Sequence, residues 1–287
     1  MQVLKLDGTY EEYDEKKLAN SLARSGVAQD VQKKIIDKVR SELFEGISTS
    51  KIYKRAYKLL EHEDAVQPEV TFRYSLRRSI SEFGPSGFPF ERFVGEIFRL
   101  KGYNIQVGKV LKGKCASHEM DVVGHKDDEV FTAELKFHNR LTIKTDLKVA
   151  LYVRARFDDL IAGGIYGEKK QRLAIITNTK FSSNAIRYSE CAGIELIGWN
   201  YPRQGQGNLH DLVQESGIHP LTCLSTLSKK QKLYFLDKQA VLCQDLSADD
   251  YKMLREAREV IPKSKIDKII EEIVRVCECV GPTCVIE

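Results

Sequence analysis

Long apolar runs are missing from this chain of 287 residues. No stretch approaches the roughly 18 consecutive apolar residues that a membrane span needs. The opening segment, "MQVLKLDGTYEEYDEKK", is charged and has no apolar core, so a signal peptide is not expected. A large charge excess is missing too, with 45 Lys and Arg against 41 Asp and Glu. Any basic surface for nucleic acid therefore has to be local. No phosphate-cradling G-x-x-x-x-G-K-[ST] loop occurs, so a bound nucleotide is expected to regulate rather than to be burned as fuel. Internal repeats and low-complexity tracts are absent. The 7 cysteines are an odd number, most of them set singly in apolar patterns, as Cys191 and Cys223 are. Buried reduced thiols in a cytoplasmic protein fit this better than a disulfide framework. Cys277, Cys279 and Cys284 cluster in "CECVGPTC", but a tetrahedral zinc site wants a fourth ligand and none is near in sequence.

What is present divides into segments. "QVLKL" and "TYEEY" alternate around a DG turn and predict two short strands within 1–12. Four helices are expected next. The first follows a cap at Asp14, the second spans about 29–44, the third opens at Ser48 or Thr49, and the fourth begins at Pro68. "GPSGFP" at 84–89 is the strongest break in the chain and marks a domain boundary. Beyond it come a helix, a strand near 103–110, a charged hairpin, a helix over about 145–162, the strand "RLAIIT", another helix and the strand "IELIGW". Strands separated by helices predict an α/β unit. From about 206 the pattern is helical. Lys229, Lys230 and Lys232 read there as a solvated helix face, with contact to a DNA backbone or a dimer surface as alternatives.

The hairpin "HEMDVVGHKDDEVFTAELKF", 118–137, poses the central question. A turn centred on Asp127 and Asp128 brings 126 opposite 129 and, stepping outward, 121 opposite 134. Asp121 and Glu134 then project side by side, Lys136 joins that face, and Val122, Ala133 and Leu135 face the core. Two such carboxylates suit Mg2+ or Mn2+, hard cations that prefer oxygen. A lysine beside them can stabilise developing negative charge. Glu91 or Glu96 of the preceding helix could add a ligand. The plain alternative is a charged, solvated sheet face.

The helix "FERFVGEIFRLKGY", then "HEMDVVG", "AELKF", a helix, "RLAIITN" and "IELIGWNYP" resemble the PD-(D/E)XK nuclease fold over roughly 84–203. The branch it resembles is the Mrr-like (type IV restriction endonuclease) family. That resemblance implies a catalytic set of Glu91, Asp121, Glu134 and Lys136, with Asp121 and Glu134 as metal ligands. Met120 stands where the family usually has Pro, and Glu134 where many members have Gln. Similarly, "VLKLDGTYEEYDEKKLANSLARSG" with "GISTSKIYKRAYKLL" resembles the ATP-cone, a regulatory nucleotide-binding module. Matching positions are Lys5, Glu11, Asp14, Lys17, Thr49 and Tyr53, with Arg73 a further phosphate contact. Leu6 stands in place of a frequent Arg.

The expected architecture is therefore multidomain. A small hairpin plus helical bundle of ATP-cone type spans 1–83, a central α/β restriction-endonuclease-like domain 84–205, and a helical region 206–287. The expected function is a nucleotide-regulated, Mg2+-dependent DNA endonuclease taking ATP or dATP, not bound to a membrane, and paired as a homodimer or larger homo-oligomer. The resemblance implies a role in restriction or defence. The alternatives are a nucleotide-sensing DNA-binding regulator without cleavage and a purely structural protein.

Overall fold

The computed structural model describes residues 1–5, 8–203 and 207–278, and within these every side chain except those of residues 68, 69, 277 and 278. The substitution at Leu6 and the cysteine cluster at 277, 279 and 284 lie outside what is described.

The chain opens with an antiparallel pair, β1 (Gln2–Leu4) and β2 (Tyr10–Glu12). Helices α1 (Glu15–Arg24), α2 (Gln29–Ser41), α3 (Thr49–Glu61) and α4 (Pro68–Ser81) follow. Local chemistry sets their starts. Asp14 accepts from the Lys16 amide (2.9 Å), Ser48 accepts from the Lys51 amide, and Pro68 occupies a first-turn position where no amide is needed. Leu18, Leu22, Val31, Ile35, Ile52 and Leu60 close a small core among these elements.

After the "GPSGFP" break, α5 (Phe88–Leu100) leads into β3 (Asn104–Lys112), β4 (Ser117–Lys126) and β5 (Glu129–Lys136). Then come β6 (Lys144–Thr145), α6 (Leu147–Ala162), β7 (Lys170–Thr177), β8 (Lys180–Phe181), α7 (Ser183–Ala192) and β9 (Glu195–Ile197). The central sheet is mixed, in the order β3-β4-β5-β7-β9, antiparallel up to β5 and parallel beyond it. Alternation along the strands gives it two apolar faces. Phe131, Ala133, Ala174 and Ile176 meet Phe93, Ile97 and Phe98 of α5 on one side. Val130, Leu173 and Ile175 meet Val153, Phe157 and Leu160 of α6 on the other.

The C-terminal part contains α8 (Leu209–Ser216), α9 (Lys229–Asp237), α10 (Cys243–Glu256) and α11 (Lys263–Ile273). It is not a separate appendage. Leu221, Phe235, Leu246 and Ile269 share one core with the α5 face of the sheet and with Phe72, Leu76 and Ile80 of α4. Polar contacts reinforce the junction: Thr222 donates to the Ser79 carbonyl (2.7 Å), and Arg92 of α5 pairs with Asp245 (2.9 Å). α4, expected to belong to the first bundle alone, thus serves both units. Its sequence gives little warning, because a helix apolar on two sides shows no single periodic stripe.

Two side-chain expectations fail here. Cys191 is exposed rather than buried, since the buried positions of α7 are Ala185 and Ser189 and residue 191 falls on the opposite side. Lys232 is neither solvated nor free for DNA: it donates to the Thr222 carbonyl (2.6 Å) and lies near Glu82 (3.7 Å).

The shared core contains a titratable probe. His219 packs on Phe72 with ring centres 4.2 Å apart. Burial, with Arg73 adding to it, lowers its imidazole from 6.5 to about 4. The folded state therefore binds fewer protons than the unfolded one between these values, and stability falls as pH drops through that window. Urea unfolding between pH 7 and 4 should show a loss on the order of 2 kcal/mol from this group. In His219→Gln that part of the slope disappears; an unchanged slope would contradict the assignment.

Candidate active site and nucleotide-binding surface

The hairpin turns as the sequence predicts. Lys126 pairs with Glu129 and the ladder runs outward to Val122 opposite Ala133. Asp127 takes a φ of 49°, a left-handed conformation that Asp tolerates in a tight turn. The ladder then stops one pair short of Asp121 and Glu134. β5 continues against β7, with Glu134 opposite Ile175 and Lys136 opposite Thr177, while β4 parts from it. The Asp121 carboxylate fills the gap by accepting the Leu135 backbone N–H (2.6 Å).

At this parting the candidate catalytic side chains gather. Glu134, 3 % exposed, is enclosed by donors. Its Oε1 accepts from Lys136 Nζ (2.7 Å) and from the Tyr152 hydroxyl (2.7 Å), and its Oε2 from Arg156 (2.8 Å). Glu91, in the first turn of α5, lies near this parting. Burial, with Asp121, Glu119 and Glu134 nearby, pushes its carboxyl up to about 7. A helix N-terminus favours a charged carboxylate, so burial and repulsion outweigh it here. Burial and Glu134 raise Asp121 to about 6, against the opposing pull of the Leu135 N–H, Lys136 and Arg156. Burial alone would lower the Lys136 ammonium, yet its hydrogen bonds to Glu134 and Tyr152 hold it above the usual lysine range. Glu96, the other ligand considered on α5, instead pairs with Arg99 on the helix surface.

Sequence reasoning missed Tyr152, Arg156 and Glu119. The first two lie one turn apart on α6, each just before a buried residue, Val153 and Phe157. From the edge of an apolar stripe a long polar side chain reaches back over the sheet. Arg156 also contacts Met120 Sδ (3.5 Å), in the position where a proline was the family expectation.

All the candidate ligand atoms are oxygens, and burial with neighbouring carboxylates raises two of the carboxyls, Glu91 and Asp121. Among the described residues, no three His, Cys, Asp or Glu side chains stand gathered around one point. Mg2+ characteristically keeps several waters and uses one or two protein carboxylates. Asp121 and Glu134, with Glu91 beside them, fit that mode.

The residues singled out for nucleotide binding fall in three places. The Glu11 carboxylate lies between Lys17 (3.1 Å) and Lys5 (3.9 Å). Asp14 caps α1. Thr49 and Tyr53 line a cavity of about 650 Å³ that Tyr74, Arg77, Arg78, Asn139 and Lys229 also border. Tyr53 stacks on Tyr74, with ring centres 5.1 Å apart and planes within 6°. Lys17 reaches a second cavity next to it.

Among the described residues no helix is long and apolar enough to cross a membrane. Residues 1–82 match the ATP cone domain, and residues 219–277 match the domain described as AF1548-like, C-terminal. The molecule is thus multidomain, an ATP-cone domain preceding a mixed central sheet with helices. A repair endonuclease from Pyrococcus abyssi aligns over 39% of this chain and 46% of its own, at 19% identity and a TM-score of 0.30, too slight a likeness to argue from. A crystal structure of a protein of unknown function, AF1548, superposes with a TM-score of 0.53 at 30% identity, covering 67% of this chain and 99% of that one. An uncharacterized protein of Archaeoglobus fulgidus is 34% identical over 171 residues, which are 57% of this chain and 93% of the relative. With 30% identity to AF1548 over 99% of that chain, the chain belongs to the AF1548-like family.

Proposed function

We propose that this protein is a nucleotide-regulated, metal-dependent DNA endonuclease. The observation that carries the reading is Asp121 and Glu134 at the point where β4 and β5 part, with Lys136 on Glu134 and Glu91 close enough for both carboxylates to raise it. Carboxylates pushed up to about 6 and about 7 are a cluster that a divalent cation would stabilise. Bound there, Mg2+ or Mn2+ supplies an acidified water and neutralises charge on a phosphate undergoing displacement. Asp121 and Glu134 are the ligands, Glu91 the accessory carboxylate, and Lys136 the cation beside the reacting phosphate. Tyr152 and Arg156 hold the Glu134 carboxylate in place. The ATP-cone domain takes ATP or dATP through Lys5, Glu11, Asp14, Lys17, Thr49 and Tyr53. Two cuts across a duplex call for two copies of the chain, and the sequence resemblance implies a role in restriction of foreign DNA.

Plasmid cleavage with Mg2+ or Mn2+, with and without ATP or dATP, tests this. Lys136→Ala should lower the rate at least about 100-fold. Wild type that leaves the plasmid intact under every metal and nucleotide condition sinks the nuclease reading.

One observation favours a second reading, a nucleotide-sensing DNA-binding regulator that does not cut. Both oxygens of Glu134 already accept from Lys136, Tyr152 and Arg156. If that arrangement persists with DNA bound, the chain binds DNA without metal-dependent nicking.

A further inference from the structure

α1 and α4 face the domain that carries the candidate active site across a cavity of about 400 Å³. Lys17 and Arg24 reach it from α1, Arg73 and Arg77 from α4, and Trp199 and His210 border it from beyond β9. Among the described residues no carboxylate lines it, and Arg24, Arg73 and Arg77 have no acidic partner. Arg24 donates to Asn200 across the junction (3.1 Å). Arg77 lies over the Trp199 ring, 6.0 Å from its centre, and its buried Nε has no hydrogen-bond partner. Burial, with Arg24 close by, lowers this guanidinium to about 10, so the charge sits there at a cost. The cavity adjoins the larger one that holds Thr49 and Tyr53, the two sharing Ser21, Tyr74 and Arg77.

We infer that the polyphosphate of the regulatory nucleotide occupies this arginine-lined cavity and is gripped from both sides of the domain junction, with the nucleoside lying in the adjoining tyrosine-walled cavity. The inference rests on the nucleotide-binding reading and says where the phosphates go. Three guanidiniums around one space repel each other unless a polyanion sits among them. Guanidinium forks suit phosphate oxygens better than an ammonium does. Lys5 and Lys17 already share Glu11, which leaves the arginines as the stronger phosphate site. A triphosphate reaching from Thr49 to Arg24 would also bear on Asn200 and Trp199, tying the ATP-cone to the end of the sheet.

Trp199 is the single tryptophan of the chain and stands in the cavity wall, so its fluorescence reports on this site alone. The full-length protein is titrated with ATP, AMP and inorganic tripolyphosphate, following Trp199 emission and, separately, heat. ATP and tripolyphosphate should both change the emission and saturate, with AMP binding at least about 10-fold more weakly. Arg77→Met should weaken ATP at least about 10-fold. Arg24→Gln, at an exposed position that does not threaten folding, should weaken it in the same direction. If ATP evolves heat while Trp199 emission stays fixed and both variants bind like wild type, the nucleotide lies elsewhere on the ATP-cone and this inference alone falls. If wild type evolves no heat with ATP, the nucleotide-binding reading falls with it. A change of emission by a short DNA duplex but not by ATP would also overturn the inference.

Discussion

In alkaline buffer with a chelator, Asp121→Asn is expected to unfold at higher urea concentration than the wild type while cutting no DNA under any metal condition. Both effects come from one carboxylate. Asparagine keeps an oxygen to accept the Leu135 N–H, so the parting of β4 from β5 is preserved. It removes a charge that burial and Glu134 disfavour, as the rise of the Asp121 carboxyl to about 6 shows. A carboxyl raised in the folded state takes up protons on folding, so it destabilises the native state increasingly as pH rises from about 4 to about 6 and fully above that. The variant should therefore gain on the order of 1–2 kcal/mol in alkaline buffer and nothing below about pH 4. Wild-type cleavage should drop by at least about 1000-fold, because a lost ligand removes both metal affinity and charge stabilisation. A variant that keeps even a tenth of wild-type cleavage would remove Asp121 from the active site. One no more stable than wild type in the chelated, alkaline condition would mean that the carboxylate is well solvated where it stands.

The second large effect concerns Glu272. This acid is 5 % exposed, yet its surroundings satisfy it fully. Oε1 accepts from the Ser225 amide (2.6 Å) and hydroxyl (2.7 Å), and Oε2 from the Thr226 amide (2.9 Å) and hydroxyl. The carboxylate pins α11 to the segment before α9. Glu272→Ala leaves two part-buried amides without acceptors and opens a void beside Ile269 and Ile273. The expected cost is about 3–5 kcal/mol in urea unfolding. Glu272→Gln, which keeps one acceptor oxygen, should cost less. Because α11 shares its core with the sheet and α4, the loss should shift the main unfolding transition. A separate early transition that leaves the main one in place would show that the C-terminal helices unfold independently.

How much of this was legible beforehand depended on sequence distance. The Asp121–Glu134 face could be counted outward from the turn, since pairing in a hairpin is local and its period is fixed. The end of the ladder at Val122 could not, because it depends on β5 finding β7 some forty residues later in the chain. Glu91 and Glu96 are five positions apart, about 140° around a helix, and only the packing of α5 shows which one faces the sheet. Tyr152 and Arg156 had a readable signal, one turn apart at the margin of an apolar stripe, but nothing local says which strand they overhang. The arginine-lined cavity was least legible. Arg73 stood out on α4, whereas Arg24 and Arg77 acquire meaning only when Trp199 and His210 arrive from the other domain.

The double allegiance of α4 bears on how this molecule can be taken apart. Residues 1–82 are matched as an ATP cone domain. Yet Phe72, Leu76 and Ile80, all within that span, lie in the core shared with the sheet and the C-terminal helices. A fragment cut after residue 82 would carry an uncovered greasy stripe along its last helix, and such a piece aggregates more readily than it folds. The regulatory module of this chain is consequently not portable. Grafting it onto another protein means either repainting that stripe with polar residues or carrying the C-terminal helices along as its lid.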